Sequence, residues 1–175
     1  MLNYLIISGS LNPESKSNIL AHEAKKELER LGKHVELVDL KEYPLPLCGS
    51  SEAYGDTNVA ILGQKVEQAD AIIFAGPVYN YDMNAALKNL IEFTGKKMLN
   101  KVAGMMVAAG GHNSYMAPIG FLNSLMFDFR MLIIPRFVFA TSSAFTDGAL
   151  SDEKVVERVY ELVGEVARVA EALKE

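Results

Sequence analysis

Short runs of almost wholly apolar residues alternate, from one end of the chain to the other, with longer stretches whose apolar positions recur every three or four residues. The short runs predict buried strands and the longer stretches predict amphipathic helices. Five strands emerge at Leu2–Ile7, Val35–Val38, Ala71–Ala75, Val102–Ala108 and Leu132–Ala140. A run apolar on both faces belongs inside a sheet covered on both sides, which is the signature of parallel strands. Between them, Leu20, Ala24, Leu28 and Leu31 line one face of a first helix, with Ser17 or Asn18 as its cap and Gly32 as its stop. Further helices are expected over Val59–Ala69 and Asn84–Thr94, and a last one carries Val155, Val159, Leu162, Val166, Val169 and Leu173. Pro44 and Pro46 mark a loop that reaches to about Thr57.

Five strand–helix units predict an α/β fold, a three-layer α/β/α sandwich around a doubly wound five-stranded parallel sheet in the order 2-1-3-4-5. Neither a repeat nor a low-complexity linker interrupts the pattern, so residues 1–175 are expected to form a single domain. In such a sheet ligands bind beyond the carboxyl ends of the strands, where the strand order reverses.

Charge and composition then remove several classes. A net charge of −5, with no basic run longer than a Lys pair, argues against a nucleic-acid surface. Cys48 is the only cysteine, which excludes an internal disulfide and suits a reducing, cytoplasmic setting. The apolar stretches fall well short of the ~20 residues of a membrane helix. His22, His34 and His112 lie on different predicted elements without metal-ligand spacing, so no metal is expected. There is no Gly-x-Ser-x-Gly elbow, and Cys48 sits in a Pro-rich loop without a marked histidine partner.

Two loops carry the candidate chemistry. The first, Gly9 to Asn18, joins a strand to a helix start, where unpaired N–H groups and the helix dipole favour an anion. Hydroxyls of Ser10, Ser15 and Ser17 add neutral donors suited to a phosphate monoester, although the same composition also suits an ordinary capped turn. A triphosphate loop is absent, because Glu14 stands where its second glycine is needed. Gly9 also lacks the further glycines of a dinucleotide fingerprint. The second loop, Gly76-Pro77-Val78-Tyr79-Asn80-Tyr81, offers a fixed backbone, an amide and two flat aromatic surfaces to a planar, polar-edged heterocycle. As a purely structural feature it would be a rigid turn with a tyrosine packed beneath it.

Taken together, Gly9-Ser10-Leu11 with Ser15 and Ser17, Pro77 to Tyr81 leading into Leu87-Lys88-Asn89, Gly110-Gly111 after the fourth strand, and Asp39-Leu40 with Pro44-Leu45-Pro46 resemble the NAD(P)H-dependent FMN reductase family. That family has a flavodoxin-like fold and includes quinone, azo-dye and chromate reductases. The resemblance spans nearly the whole chain. It implies that Ser10, Asn12, Ser15, Ser17 and Asn18 hold the FMN phosphate, and that Pro77, Val78, Tyr79, Asn80 and Tyr81 line the ribityl chain and ring. Gly110, Gly111 and His112 would approach the ring's polar edge. The chain departs from the common pattern at Asn12, Val78, Asp82 and Asn84, where many members carry arginine, glutamate, serine and proline. Lys16 is the basic residue placed to compensate for the missing arginine, and Asp82 is expected to cap the following helix.

The resemblance implies FMN as cofactor and NAD(P)H as co-substrate in a ping-pong reaction with a small-molecule electron acceptor. Because hydride chemistry belongs to the flavin, no catalytic residue is assigned. Two other classes share the fold: a non-enzymatic electron carrier and a flavin-free regulatory or scaffold domain. The family usually forms dimers or tetramers. The apolar stretch Tyr115, Met116, Ile119, Phe121, Leu122, Leu125, Met126, Phe127 and Phe129 points to a homodimer or homotetramer here.

Overall fold

The computed structural model describes residues 1–174. Its strands are β1 (Asn3–Ser8), β2 (His34–Asp39), β3 (Ala71–Tyr79), β4 (Asp82–Met83), β5 (Val102–Ala109), β6 (Leu132–Ile133), β7 (Val138–Thr141), β8 (Phe145–Thr146) and β9 (Ala149–Leu150). Its α-helices are α1 (Lys16–Arg30), α2 (Thr57–Gln68), α3 (Ala85–Thr94), α4 (Ile119–Phe129) and α5 (Glu153–Ala172). The main sheet runs β2-β1-β3-β5, with β6 and β7 both pairing with β5 and all of these pairs parallel.

The predicted order is therefore present, with one refinement. The expected fifth strand is broken into β6, beside Val102 and Ala103, and β7, beside Met106 to Ala109. Pro135 between them has no N–H to give the ladder, and Arg136 takes a left-handed φ of 58°, so the pairing lapses there. The short β4 folds back antiparallel on β3, and β8 and β9 form a separate two-stranded hairpin.

Strand alternation divides the core into two layers, because successive side chains point to opposite faces. Tyr4, Ile6, Ile73, Ala75 and Met106 face α1 and α5, where Leu20, Leu28, Val159 and Val163 cover them. Leu5, Ile7, Ile72, Phe74 and Met105 face the other way, beneath Leu62 of α2, Leu87 and Leu90 of α3, and Phe121 of α4. Helix α1 begins two to three residues earlier than expected. Ser15, not Ser17 or Asn18, is the cap, and its hydroxyl accepts from the Asn18 N–H at 3.1 Å. Gly32 stops that helix with a φ of 69°. No helix among the described residues is long and apolar enough to cross a membrane.

At the amino edge of the sheet, Tyr4 is buried with its hydroxyl donating to Glu171 on α5 at 3.5 Å. Burial first and the Glu171 carboxylate second push the Tyr4 phenol up to about 12 from its usual 10. This contribution to stability is complete below pH 10 and is lost as pH climbs from there to about 12. Chemical denaturation across that range should show stability falling in the native chain, and Tyr4→Phe should lessen the fall. An unchanged slope in the variant would remove Tyr4 as its source.

Candidate functional site

At the carboxyl edge, β1 and β3 lie side by side, and the loops that leave them face each other. Gly9 donates its N–H to the Ala75 carbonyl at 2.8 Å, so the first loop starts alongside the middle of β3, which runs on past it. From there Ser10, Asn12, Ser15, Ser17, Pro77, Val78, Tyr79 and Gly110 line one cavity of about 340 Å³. Ser10, Ser15 and Ser17 are buried in its floor. The Ser15 and Ser17 hydroxyls lie 3.0 Å apart, and Ser10 Oγ accepts from the Asn12 N–H at 3.3 Å. Each hydroxyl thus has a protein partner that fixes its position.

Not every expected residue joins them. The Asn18 side chain turns away, its Nδ2 donating to Ser8 Oγ at 3.0 Å and to Asp39 Oδ2 at 2.9 Å. It ties β1, α1 and β2 together rather than lining the cavity. Asn80, Tyr81, Gly111 and His112 are exposed and stand outside the cavity lining. Five further residues line it: Glu14, Lys16, Ala108, Ala109 and Ser142. Ser142 follows β7, and its signal was there to be read, since Thr141-Ser142-Ser143 repeats the small hydroxyl-bearing composition of the first loop at another strand's end. Lys16 Nζ lies 5.8 Å from the centroid of Phe145, a cation–π placement that keeps its charge at the cavity rim.

The second loop is tighter than a loop. β3 continues through Tyr79, and Val78 pairs with Met83 and Tyr79 with Asp82, leaving only Asn80 and Tyr81 to turn the chain. Both have positive φ, 51° and 65°, as a type I′ hairpin turn requires. Asparagine tolerates this, but tyrosine is strained there. The hairpin also draws Asp82 away from the role expected of it. Its Oδ1 accepts from the Met83 N–H at 2.7 Å, and the residue before α3 is Asn84.

Glycine has a different meaning at each end of the site. A Cβ on Gly9 would lie 2.2 Å from Leu87 Cγ, and one on Gly76 would lie 2.5 Å from Leu87 Cδ1. The first loop and β3 itself therefore pack against the first turn of α3 so closely that only glycine fits at these two positions. Gly110 and Gly111 have open space around the Cβ position, so no packing within the chain requires glycine there. Bare backbone at the mouth of the cavity leaves room for a ligand to approach closely. The composition of the cavity suits a phosphorylated planar ligand: a helix start and buried hydroxyls at one end, and an aromatic-edged hairpin with open glycines at the other. Among the described residues no cluster of His, Cys, Asp and Glu is arranged to hold a metal ion.

Fold and site together define a flavodoxin-like α/β sandwich with a polar cavity at the carboxyl edge of its sheet. Comparison with known sequences narrows it further: the profile of the NADPH-dependent FMN reductase family matches residues 2–146, and the chain belongs to that family. It is 28% identical to an NAD(P)H-dependent FAD/FMN reductase of Geobacillus thermodenitrificans, over 99% of this chain and 96% of the relative. It is also 28% identical to an NAD(P)H:quinone oxidoreductase of Solanum tuberosum, over 82% of this chain and 78% of the relative. Among solved structures, the flavoenzyme FerB, an NAD(P)H:(acceptor) oxidoreductase of Paracoccus denitrificans, superimposes with a TM-score of 0.78 at 21% identity, covering 98% of each chain. That likeness establishes the shared fold.

The two kinds of glycine are separable by substitution. Gly9→Ala should cost on the order of 1–3 kcal/mol in a denaturant titration, because Leu87 must be displaced. Gly110→Ala should stay within about 0.5 kcal/mol of the native chain. Equal losses at the two positions would contradict the packing described.

Proposed function

We propose that this member of the FMN reductase family is an FMN-dependent NAD(P)H oxidoreductase that works by a ping-pong sequence, reducing a small-molecule acceptor such as a quinone, azo compound, free flavin or metal oxyanion. The observation that carries the reading is the single cavity that joins the buried hydroxyls of Ser10, Ser15 and Ser17 to Pro77, Val78, Tyr79 and Gly110. FMN bound there would supply the hydride and electron-transfer chemistry that links NAD(P)H to the second substrate.

The chain's own residues bind and orient. The first turn of α1 directs its unpaired N–H groups, and Ser10, Ser15, Ser17 and Asn12 their polar groups, to the phosphate. Lys16 offers a full charge in place of the usual arginine, though without the two-pronged geometry of a guanidinium. Pro77, Val78 and Tyr79 form a rigid wall for the ribityl chain and ring, with Asn80 and Tyr81 at the hairpin tip beside it. Gly110 and Gly111 leave the opposite rim open for the ring's polar edge and for His112 beside it. Asn18 acts indirectly, holding α1 against Ser8 and Asp39.

In this reading residues 1–175 form one domain that acts in the cytoplasm, where NAD(P)H is available and a single cysteine stays reduced. It pairs with further copies as a homodimer or homotetramer. Phe121, Leu122 and Leu125 are spent on the core, whereas Tyr115, Met116, Met126 and Phe127 remain exposed, Phe127 at 80%. An apolar strip of that kind favours association.

Steady-state assays with NADH or NADPH, added FMN and a quinone should give parallel double-reciprocal lines. Absence of pyridine-nucleotide oxidation with every acceptor class would overturn the enzymatic reading in favour of an electron carrier. Lys16→Ala should weaken FMN binding by at least about tenfold, the loss of one hydrogen bond to a charged group. Light scattering on a sizing column should return a multiple of the 19.2 kDa chain, and a monomer would contradict the proposed assembly.

A further inference from the structure

Asn84 immediately precedes α3, the position from which an asparagine ordinarily turns its side chain onto the free N–H groups of the first turn. Here it makes no such bond. Its side chain is buried and reaches across to the first loop, where Nδ2 donates to the Gly9 carbonyl at 2.7 Å, joining residues 75 positions apart. Its Oδ1 is left as a buried side-chain oxygen without a partner among the described residues. A buried acceptor left unmatched is unfavourable, so the bond to Gly9 is kept at the expense of both the cap and the second half of the amide.

Both polar groups of the Gly9 residue are thereby taken up by the opposite loop's supports. Its N–H is held by Ala75 in the middle of β3, and its carbonyl by Asn84 just before α3. On the apolar side, Leu87 closes the space in which a Gly9 Cβ would sit, and Asn84 Oδ1 lies 3.0 Å from the corresponding position on Gly76. Ser10, the next residue after this clamped glycine, is the first hydroxyl of the cavity.

We infer that Asn84 is a positioning residue for the phosphate end of the site: acting through the Gly9 carbonyl, it fixes where the Ser10 to Ser17 loop stands relative to the β3–β4 hairpin. It does not line the cavity. The inference rests on the reading that this loop holds the FMN phosphate.

The test titrates flavin-free native chain, Asn84→Ala and Asn84→Asp with FMN and with riboflavin, which lacks the phosphate, following flavin fluorescence after thermal melting has shown each variant folded. In Asn84→Ala, FMN affinity should fall about fivefold, the ordinary worth of one neutral hydrogen bond, while riboflavin affinity stays as in the native chain. In Asn84→Asp the protonated carboxyl can still donate to the Gly9 carbonyl. FMN affinity relative to the native chain should therefore fall as pH rises through that carboxyl's titration. An FMN affinity within about twofold of native in Asn84→Ala would overturn the inference, as would an equal loss for both flavins, which marks a general packing role. A native chain that binds FMN no more tightly than riboflavin would instead defeat the phosphate-loop reading, and this inference with it.

Discussion

The site depends on one steric constraint: Gly9, in the loop after β1, and Gly76, within β3, both press onto Leu87 in the first turn of α3, at distances that leave no room for a Cβ on either glycine. Protein interiors are packed too densely to absorb such contacts cheaply, so the first loop and β3 each take a fixed position against α3 and hence against one another. Everything polar in the cradle is arranged on that scaffold. The Gly9 N–H is aligned by Ala75, the serine hydroxyls by one another and by the backbone, and the strained Asn80-Tyr81 turn by the pairing of Val78 and Tyr79 with Met83 and Asp82. A non-glycine residue held at positive φ costs free energy, and such costs are concentrated where a surface must be presented in one geometry.

The electrostatic design follows from the same frame. A chain of net charge −5 that recognises a phosphate monoester cannot rely on a general positive field, and the cavity offers a local solution instead. In the proposed reading the helix start would contribute oriented N–H groups and a partial positive charge, the buried serines neutral donors, and Lys16 the single full positive charge in the lining, placed over Phe145. Glu14 lines the same cavity, which makes the balance between these groups sensitive to the loop's exact placement. A mechanical fix on the loop, such as that from Asn84 through Gly9, matters more in a site built this way than in one dominated by a bidentate arginine.

Much of this was legible in the sequence because apolar runs and helical periodicity report burial directly. The strands, most of the helices and the carboxyl-edge location of both loops follow from that pattern, whereas the cavity-lining residues follow from the hydroxyl, proline and tyrosine content of the two loops and from the family resemblance. The differences arise where tertiary contacts override local preference. Ser15 caps α1 although Ser17 and Asn18 carry the same kind of signal, and Asn18 is drawn off by Ser8 and Asp39, partners 10 and 21 residues away. Asp82 has the chemistry of a helix cap, but the hairpin that places it in β4 is visible only once Asn80 and Tyr81 are seen to adopt positive φ. The break at Pro135 is a case in which the residue itself carried the warning, since a proline disfavours an uninterrupted central strand.

What unites the fold, the family and the cradle is the claim that this cavity presents FMN to NAD(P)H. It is tested most directly by loading the flavin-free chain with FMN, removing unbound flavin, and recording the absorption spectrum under anaerobic conditions as NADH or NADPH is added. The account predicts a flavin band that travels with the protein and bleaches on addition of the pyridine nucleotide, returning when a quinone follows. A flavin band that is absent, or one that persists unbleached in excess NADH and NADPH, would contradict it.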